Sequence, residues 1–383
     1  MQGQSKLYTV WLDMIRGLAA LVVFLGHSKS VFIASSTAIT SKADLAAKAD
    51  DLSGKATFSH AAVIVFFVLS GYLVGGGAVR SLRNKRWSAS NYAIARLSRL
   101  WTVLIPILLL GYGLDHLGVS LSQPGSIYQG PAGQGIVSTG LLDAMSIGNL
   151  FLNLFFLQKI ITEPFGTNGP LWTLSYEFWF YVAFPFLMFS LHPATRISTR
   201  LASVFSLMCI SLFVGTSISI YFLIWLLGVL IEISPKTLKN RSAYLSTLIS
   251  APIFVLIVVA LVKIKLPLIM TDMIEACFFA VLCYFVVQLQ VPTKDNLVSH
   301  TAKGLSAVSY TLYLAHVPIL VFISGMLMPQ WQPWPLNLVG LIKFGLVTST
   351  VFLACIALYW LFERRTPEVR TLMTKAFERM KRT

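Results

Sequence analysis

Few groups in this sequence could do chemistry, and nearly all sit inside long apolar runs. The first run carries Asp13, Arg16 and His27. On a helix, Arg16 and His27 return to within about 20° of one face, with Asp13 about 40° away, and the pair are separated by ~16 Å along the axis. A polar stripe therefore climbs this segment towards a histidine. A later run opens Asn168-Gly169-Pro170-Leu171-Trp172-Thr173-Leu174-Ser175-Tyr176-Glu177, which sets Glu177 about 10 Å below its start. A carboxylate at membrane depth needs a partner, and an imidazole is a suitable one. If Glu177 holds one nitrogen of His27, the other is free to act as a base near neutral pH. A structural reading stays open for each. Asp13 and Arg16 fit an i,i+3 ion pair, His27 fits a helix end at the interface, and Glu177 fits bonding to helix hydroxyls or Trp172.

Two further sets carry polar groups. Arg96 and Arg99 stand one turn apart, with Arg86 upstream. The pair fits the bias of basic residues to cytoplasmic ends and equally a guanidinium clamp for phosphate. Ser309-Tyr310-Thr311-Leu312-Tyr313 leads to His316, which is either a ligand residue or the centre of a polar knot with Tyr310, Tyr313 and Ser309. Asn168, Trp172, Ser175, Tyr310, His316 and Ser70 form the candidate substrate or structural polar set. Ser70-Gly71 offers close helix packing, and Gly75-Gly76-Gly77 a packing or hinge site. Asp272 and Glu275 suggest a hydrated outer interface. His60, His116, His192 and His300 fall at loop edges and are assigned no role.

The elements that position these groups follow from composition. Of 383 residues, 56% are hydrophobic and 12% charged, with a mean hydropathy of +0.74. Soluble domains carry about 25% charged residues, so soluble and disordered chains are both excluded. Spans of ~20 apolar residues occur near 8–28, 59–79, 95–115, 170–190, 200–215, 217–234, 246–264, 271–290, 304–328 and 338–362. The expected fold is all-α, a polytopic helical bundle of about ten transmembrane helices. The fifth is short enough to be misjoined with the sixth. With the N-terminus inside, Lys and Arg favour the inside segments roughly threefold, which places both termini in the cytoplasm. The net charge of +15 is then mostly topological, and no nucleic-acid partner is expected.

One membrane domain over 1–362 is expected, followed by a basic cytoplasmic tail over 363–383. Outside loops span 29–58, read as a loose or partly helical cap, and 116–169, with an interfacial or re-entrant helix over Asn149 to Ile161. The first helix reads as a span and not a signal peptide. The cysteines all fall in apolar runs without metal spacing, so neither a metal nor a disulfide is expected.

Five motifs, in order, carry a resemblance. Leu12-Asp13-Met14-Ile15-Arg16-Gly17-Leu18-Ala19-Ala20 with His27, Phe66-Phe67-Val68-Leu69-Ser70-Gly71-Tyr72, and Arg96-Leu97-Ser98-Arg99 are the first three. Pro170 to Glu177 with Phe180-Tyr181, and Ser309-Tyr310 to His316, complete them. Together they resemble the acyltransferase type 3 family of integral-membrane O-acyltransferases. Ile64 departs from an acidic residue common in relatives, and Thr173 from a serine. The resemblance implies transfer of an acyl group, usually acetyl from acetyl-CoA, to a hydroxyl of a cell-surface glycan, glycolipid or related acceptor. It implies that Arg16 and His27 are essential, with His27 catalytic. It also implies that Arg96 and Arg99 serve the cytoplasmic acyl-CoA, and that Glu177 belongs to the active site. No esterase-like domain is expected on this chain. A bacterial inner-membrane location and a homo-oligomer or biosynthetic complex are compatible with it. The alternative from another class is a glycan or lipid transporter or flippase without acyl chemistry.

Overall fold

A computed structural model describes residues 6–34, 57–129, 137, 140–264 and 266–381. Most of the cap expected over 29–58, and part of the Gly/Pro-rich start of the second outside loop, lie outside the described residues. Among the described residues the regular elements are all helical, and nine helices are long and apolar enough to cross a membrane. The protein is a multi-pass membrane protein. Backbone groups in hydrocarbon have no water to bond, and a helix satisfies them within its own segment.

The spans are α1 (Leu7–Phe32), α2 (Phe58–Arg83) and α3 (Ala89–Leu121). A short α4 (Ile147–Leu154) precedes α5 (Gly169–Leu191). Then come α6 (Ile197–Ile233), α7 (Asn240–Lys263), α8 (Leu268–Val286), α9 (Leu297–Leu327) and α10 (Leu338–Leu361), with α11 (Thr366–Met380) after them. The expected fifth and sixth spans are the two limbs of α6, which breaks at Gly215 (φ 80°, ψ 176°). A residue without Cβ adopts that backbone freely, and the break falls at the residue where the expected fifth span ended. Several helices outrun their expected limits. Because α1 continues to Phe32 and α3 to Leu121, both loops expected outside start later than 29 and 116.

The apolar stretch from Asn149 to Ile161 is helical only as far as Leu154. The chain then turns, with positive φ at Phe156 and Lys159. The reason is local: Asn149 and Asn153 spend their amides on neighbouring backbone. The Asn153 Nδ2 donates to the carbonyls of Asn149 (2.9 Å) and Glu163 (3.1 Å), and its Oδ1 accepts from the Phe165 N–H (3.0 Å). Those bonds hold a folded loop in place of a longer helix.

The chain forms two compact units. One comprises 1–19, 56–92 and 173–307; the other comprises 20–55, 93–172 and 308–383. In the first, α2, α6 and α8 pack against one another and α7 lies on α8. Only 11% of the apolar window of α7 is buried, against 67% for α2; a helix apolar all round yet uncovered belongs against lipid. The packing of α2 on α6 needs glycine at two points. A methyl on Gly71 would overlap the carbonyl oxygen of Trp225, and one on Gly228 that of Val68. The two backbones meet where a π-helical turn, Gly71–Gly75, follows Ser70. Close approach through small residues is how helices associate in lipid, where no hydrophobic force drives them.

Gly71→Ala and Gly228→Ala are each expected to lower stability by about 1–3 kcal/mol or to prevent assembly, as overpacking does. Thermal unfolding of the purified protein followed by size exclusion measures this, with Gly169→Ala, where nothing lies within 4 Å, as the tolerated control.

Candidate active site

In the second unit, His27 from the upper part of α1 meets His316 of α9. His316 is fully buried, and His27 is half-buried. His316 Nδ1 lies 2.7 Å from the Leu312 carbonyl oxygen one turn earlier on α9. A carbonyl only accepts, so Nδ1 carries the proton and the neutral ring leaves Nε2 bare. His27 Nδ1 lies 2.8 Å from that Nε2, with the rings 9° from parallel, so the His27 Nδ1–H donates to it. The chain of two bonds fixes the tautomer of His27. Its Nε2 keeps a lone pair and has no hydrogen-bond partner among the described residues. Phe24 stands edge-on to the His316 ring at 6.0 Å and shields it.

The loop before α5 is anchored to the same stretch of α9. Asn168 Nδ2 donates to the Leu314 carbonyl (2.8 Å), and its buried Oδ1 has no hydrogen-bond partner among the described residues. Asp115 at the far end of α3 accepts from the N–H and the hydroxyl of Thr167, both at 2.8 Å. Gly166 sits over that carboxylate at φ 57°, where a Cβ would strike Asp115 Oδ2. Asp115 therefore holds the turn that delivers Asn168 beside the histidine segment. The sequence reading missed Asp115, and its signal was an acidic residue inside an otherwise apolar helix. Nearby, burial of the Tyr128 phenol against Gly118 and Gly325 raises its pKa and keeps it neutral.

Elsewhere in this unit, the basic pair of α3 proves unequal. Arg99 Nη1 pairs with Glu363 Oε1 at 2.8 Å, and its guanidinium lies over the Tyr310 ring at 5.0 Å. Glu363 Oε2 accepts from the N–H (3.0 Å) and hydroxyl (2.6 Å) of Thr311. Arg99 Nε and Nη2 have no partner among the described residues, and the side chain is 34% exposed, so it retains donors for an anion. Arg96 is half-buried one turn away. Glu363 was counted only as part of a basic tail; its position directly after the last span was the available clue. Tyr310 donates to the Leu100 carbonyl (3.3 Å), so it ties α9 to α3. Trp172, half-buried, ends the chain segment of this unit.

In the first unit, Glu177 of α5 is half-buried. Its Oε1 accepts from Ser70 (2.7 Å) and from Tyr181 one turn on. Ser70 in turn accepts from the Trp225 indole N–H at 3.1 Å. Within its own unit the carboxylate is held by hydroxyls, and in the other unit the His27 imidazole is held by a second imidazole. Asp13 accepts from Ser306 at 2.9 Å, a partner from α9. Arg16 lies on the same stripe of unbroken α1. Ser175 is fully buried, and Arg86 is exposed after the turn that ends α2. That turn follows an ion pair of Arg80 with Glu232.

Comparison with known proteins gives one match. The model of a family described as an acyltransferase domain, acyltransferase type 3, matches residues 9–360. No curated protein and no solved structure matches the chain.

Removing one partner of a buried ion pair leaves the other uncompensated, at about 3–5 kcal/mol. With Arg99 a third exposed, Glu363→Ala is expected to cost roughly 2–3 kcal/mol. Replacing Arg99 and Glu363 together with Met should recover much of the loss. A double-mutant cycle on thermal unfolding measures the coupling, and additive losses would show that the pair contributes nothing.

Proposed function

The chain belongs to the acyltransferase type 3 family of membrane acyltransferases, and from that premise we propose that it moves an acetyl group from cytoplasmic acetyl-CoA to a hydroxyl of a cell-surface polysaccharide, glycolipid or related acceptor. Membership leaves the flippase without a supporting observation. The observation that carries the reading is the pair of contacts from the Leu312 carbonyl to His316 and from His316 to His27, from which the His27 Nε2 lone pair follows.

The acceptor hydroxyl gives its proton to His27 Nε2 while its oxygen attacks the thioester carbon. The C–S bond breaks and the CoA thiolate leaves, to be protonated in turn. As His27 becomes an imidazolium, its Nδ1–H still points at a neutral acceptor, so His316 stabilises the charge that develops and keeps the ring aimed. The same Nε2 would serve as the nucleophile in a two-step route through acyl-imidazole. His316 takes the positioning role that the sequence assigned to Glu177.

Arg96 and Arg99 are proposed to take the phosphates of the donor. Arg99 fits that task, because Glu363 occupies only one of its nitrogens. Arg86 adds exposed positive charge on the side proposed to be cytoplasmic. Asn168 Oδ1, buried and unpartnered, is available to a donor on the substrate, with Trp172 beside it in sequence. Tyr310 braces Arg99. Asp13 and Arg16 are proposed to line the donor's path along α1. Glu177 and Ser70 form a polar network in the first unit, where Ser175 is also buried, with Glu177 retained as a residue required for activity.

Labelled acetyl-CoA, incubated with membranes holding the full chain and an envelope glycan extract, should leave label on an acceptor. His27→Ala is expected to abolish transfer. Full activity of His27→Ala ends the proposal. His316→Gln should lower kcat by about 10²–10⁴, the usual worth of a general-base arrangement, with little change in KM. Glu177→Gln should reduce the rate strongly while insertion is unchanged, and an unaltered rate removes it from the machinery. Label retained on the protein but lost in His27→Ala would favour the two-step route.

A further inference from the structure

One turn at the start of α8 holds more buried oxygen than its surroundings can satisfy. Asp272 is 0% exposed and Glu275 1%. Asp272 Oδ2 receives both available donors, His60 Nε2 at 2.9 Å and the Tyr221 hydroxyl. Asp272 Oδ1, both oxygens of Glu275 and the Thr271 hydroxyl are buried with no hydrogen-bond partner among the described residues. Thr271 and Glu275 are one turn apart on the same helix face, and Asp272 flanks them at i,i+3 from Glu275. All of these groups belong to the first unit.

The charge does not close. With His60 protonated, two carboxylates against one imidazolium still leave one negative charge. Among the described residues, the elements packed on α8 supply no other cation to it. From α2 comes His60 and from α6 Tyr221, while the Arg80–Glu232 ion pair is made between those two helices and involves neither carboxylate. Lys263, on the last turn of α7, is exposed and pairs with neither carboxylate. An uncompensated carboxylate in an apolar bundle costs several kcal/mol, so such groups take up a counter-charge or a proton. The unsatisfied atoms are all oxygens, the donor set of hard cations; soft metals seek nitrogen and sulfur.

We propose that this turn of α8 binds one small hard cation, either a proton carried by Glu275 or an alkali ion held by Glu275, Asp272 and Thr271. The site is separate from the acyl-transfer reading and does not depend on it. Its occupancy has a route into the rest of the unit. The Tyr221 ring lies edge-on to Phe67 at 5.9 Å and to Tyr176 at 5.5 Å, and Tyr176 directly precedes Glu177.

The test uses the full chain in lipid nanodiscs. Thermal unfolding is followed in sodium, potassium and N-methylglucamine chloride at equal ionic strength. Infrared spectra are recorded in parallel for the protonated-carboxyl band, for wild type and Glu275→Gln. An alkali ion predicts a midpoint several degrees higher in sodium or potassium, lost in Glu275→Gln. A proton predicts equal midpoints in the three salts and an acid band that vanishes in Glu275→Gln. Equal midpoints with no such band overturn the proposal. Should Glu275→Gln fail to fold, Thr271→Val decides, because it removes only a hydroxyl. It must weaken the salt response or shift the acid band, and no change in either overturns the proposal.

Discussion

The candidate chemistry hangs on a backbone carbonyl. Leu312 can only accept, so its bond to His316 dictates which nitrogen of that ring holds a proton. That choice dictates the direction of the bond to His27 and hence where His27 keeps its lone pair. In lipid there is no water to supply a competing partner, so a tautomer set by one carbonyl is passed along undisturbed. A carboxylate in the place of His316 would hold the imidazole more strongly and favour its charged form. A neutral imidazole orients the base without adding charge to a buried site.

The neighbouring contacts serve that arrangement. Asp115 and Thr167 fold the turn before α5, and Asn168 seats it on the Leu314 carbonyl. Glu363 bonds the Thr311 backbone and hydroxyl and pairs with Arg99. The α9 stretch from Thr311 to His316 is thereby held from two sides by carboxylates or amides that come from distant parts of the chain. Each such group is buried and ties its helix through at least one polar partner. Membrane helices lack a hydrophobic force of association, so these polar ties and the glycine contact of α2 on α6 carry the specificity of packing.

The first unit shows the complementary case. Glu177 accepts from Ser70 and Tyr181 through one oxygen, whereas neither oxygen of Glu275 has a hydrogen-bond partner among the described residues. Two glutamates in similar apolar helices thus have opposite standing. One joins a hydroxyl network, and the other is the group proposed to take a counter-charge. Only the partners brought by other helices distinguish them.

How much of this was legible in the sequence follows from the kind of information each feature needs. Hydropathy marks spans because a helix in lipid must be apolar over its own length, a property local to the chain. It gave the helical bundle, the joint at Gly215 and the shared stripe of Asp13, Arg16 and His27. The five motifs pointed to the family that the match over 9–360 then established. Pairing is not local. Glu177 was read as the partner for His27, and His316 as a ligand residue or the centre of a knot with Ser309, Tyr310 and Tyr313, since each is polar and deep in an apolar run. Likewise, Glu363 read as one charge in a basic tail and Asp272 as a hydrated interface. Which polar group meets which depends on helix rotation and register, and these are set by packing between segments far apart in sequence. The sequence named the groups able to do chemistry, and the tertiary structure chose their partners.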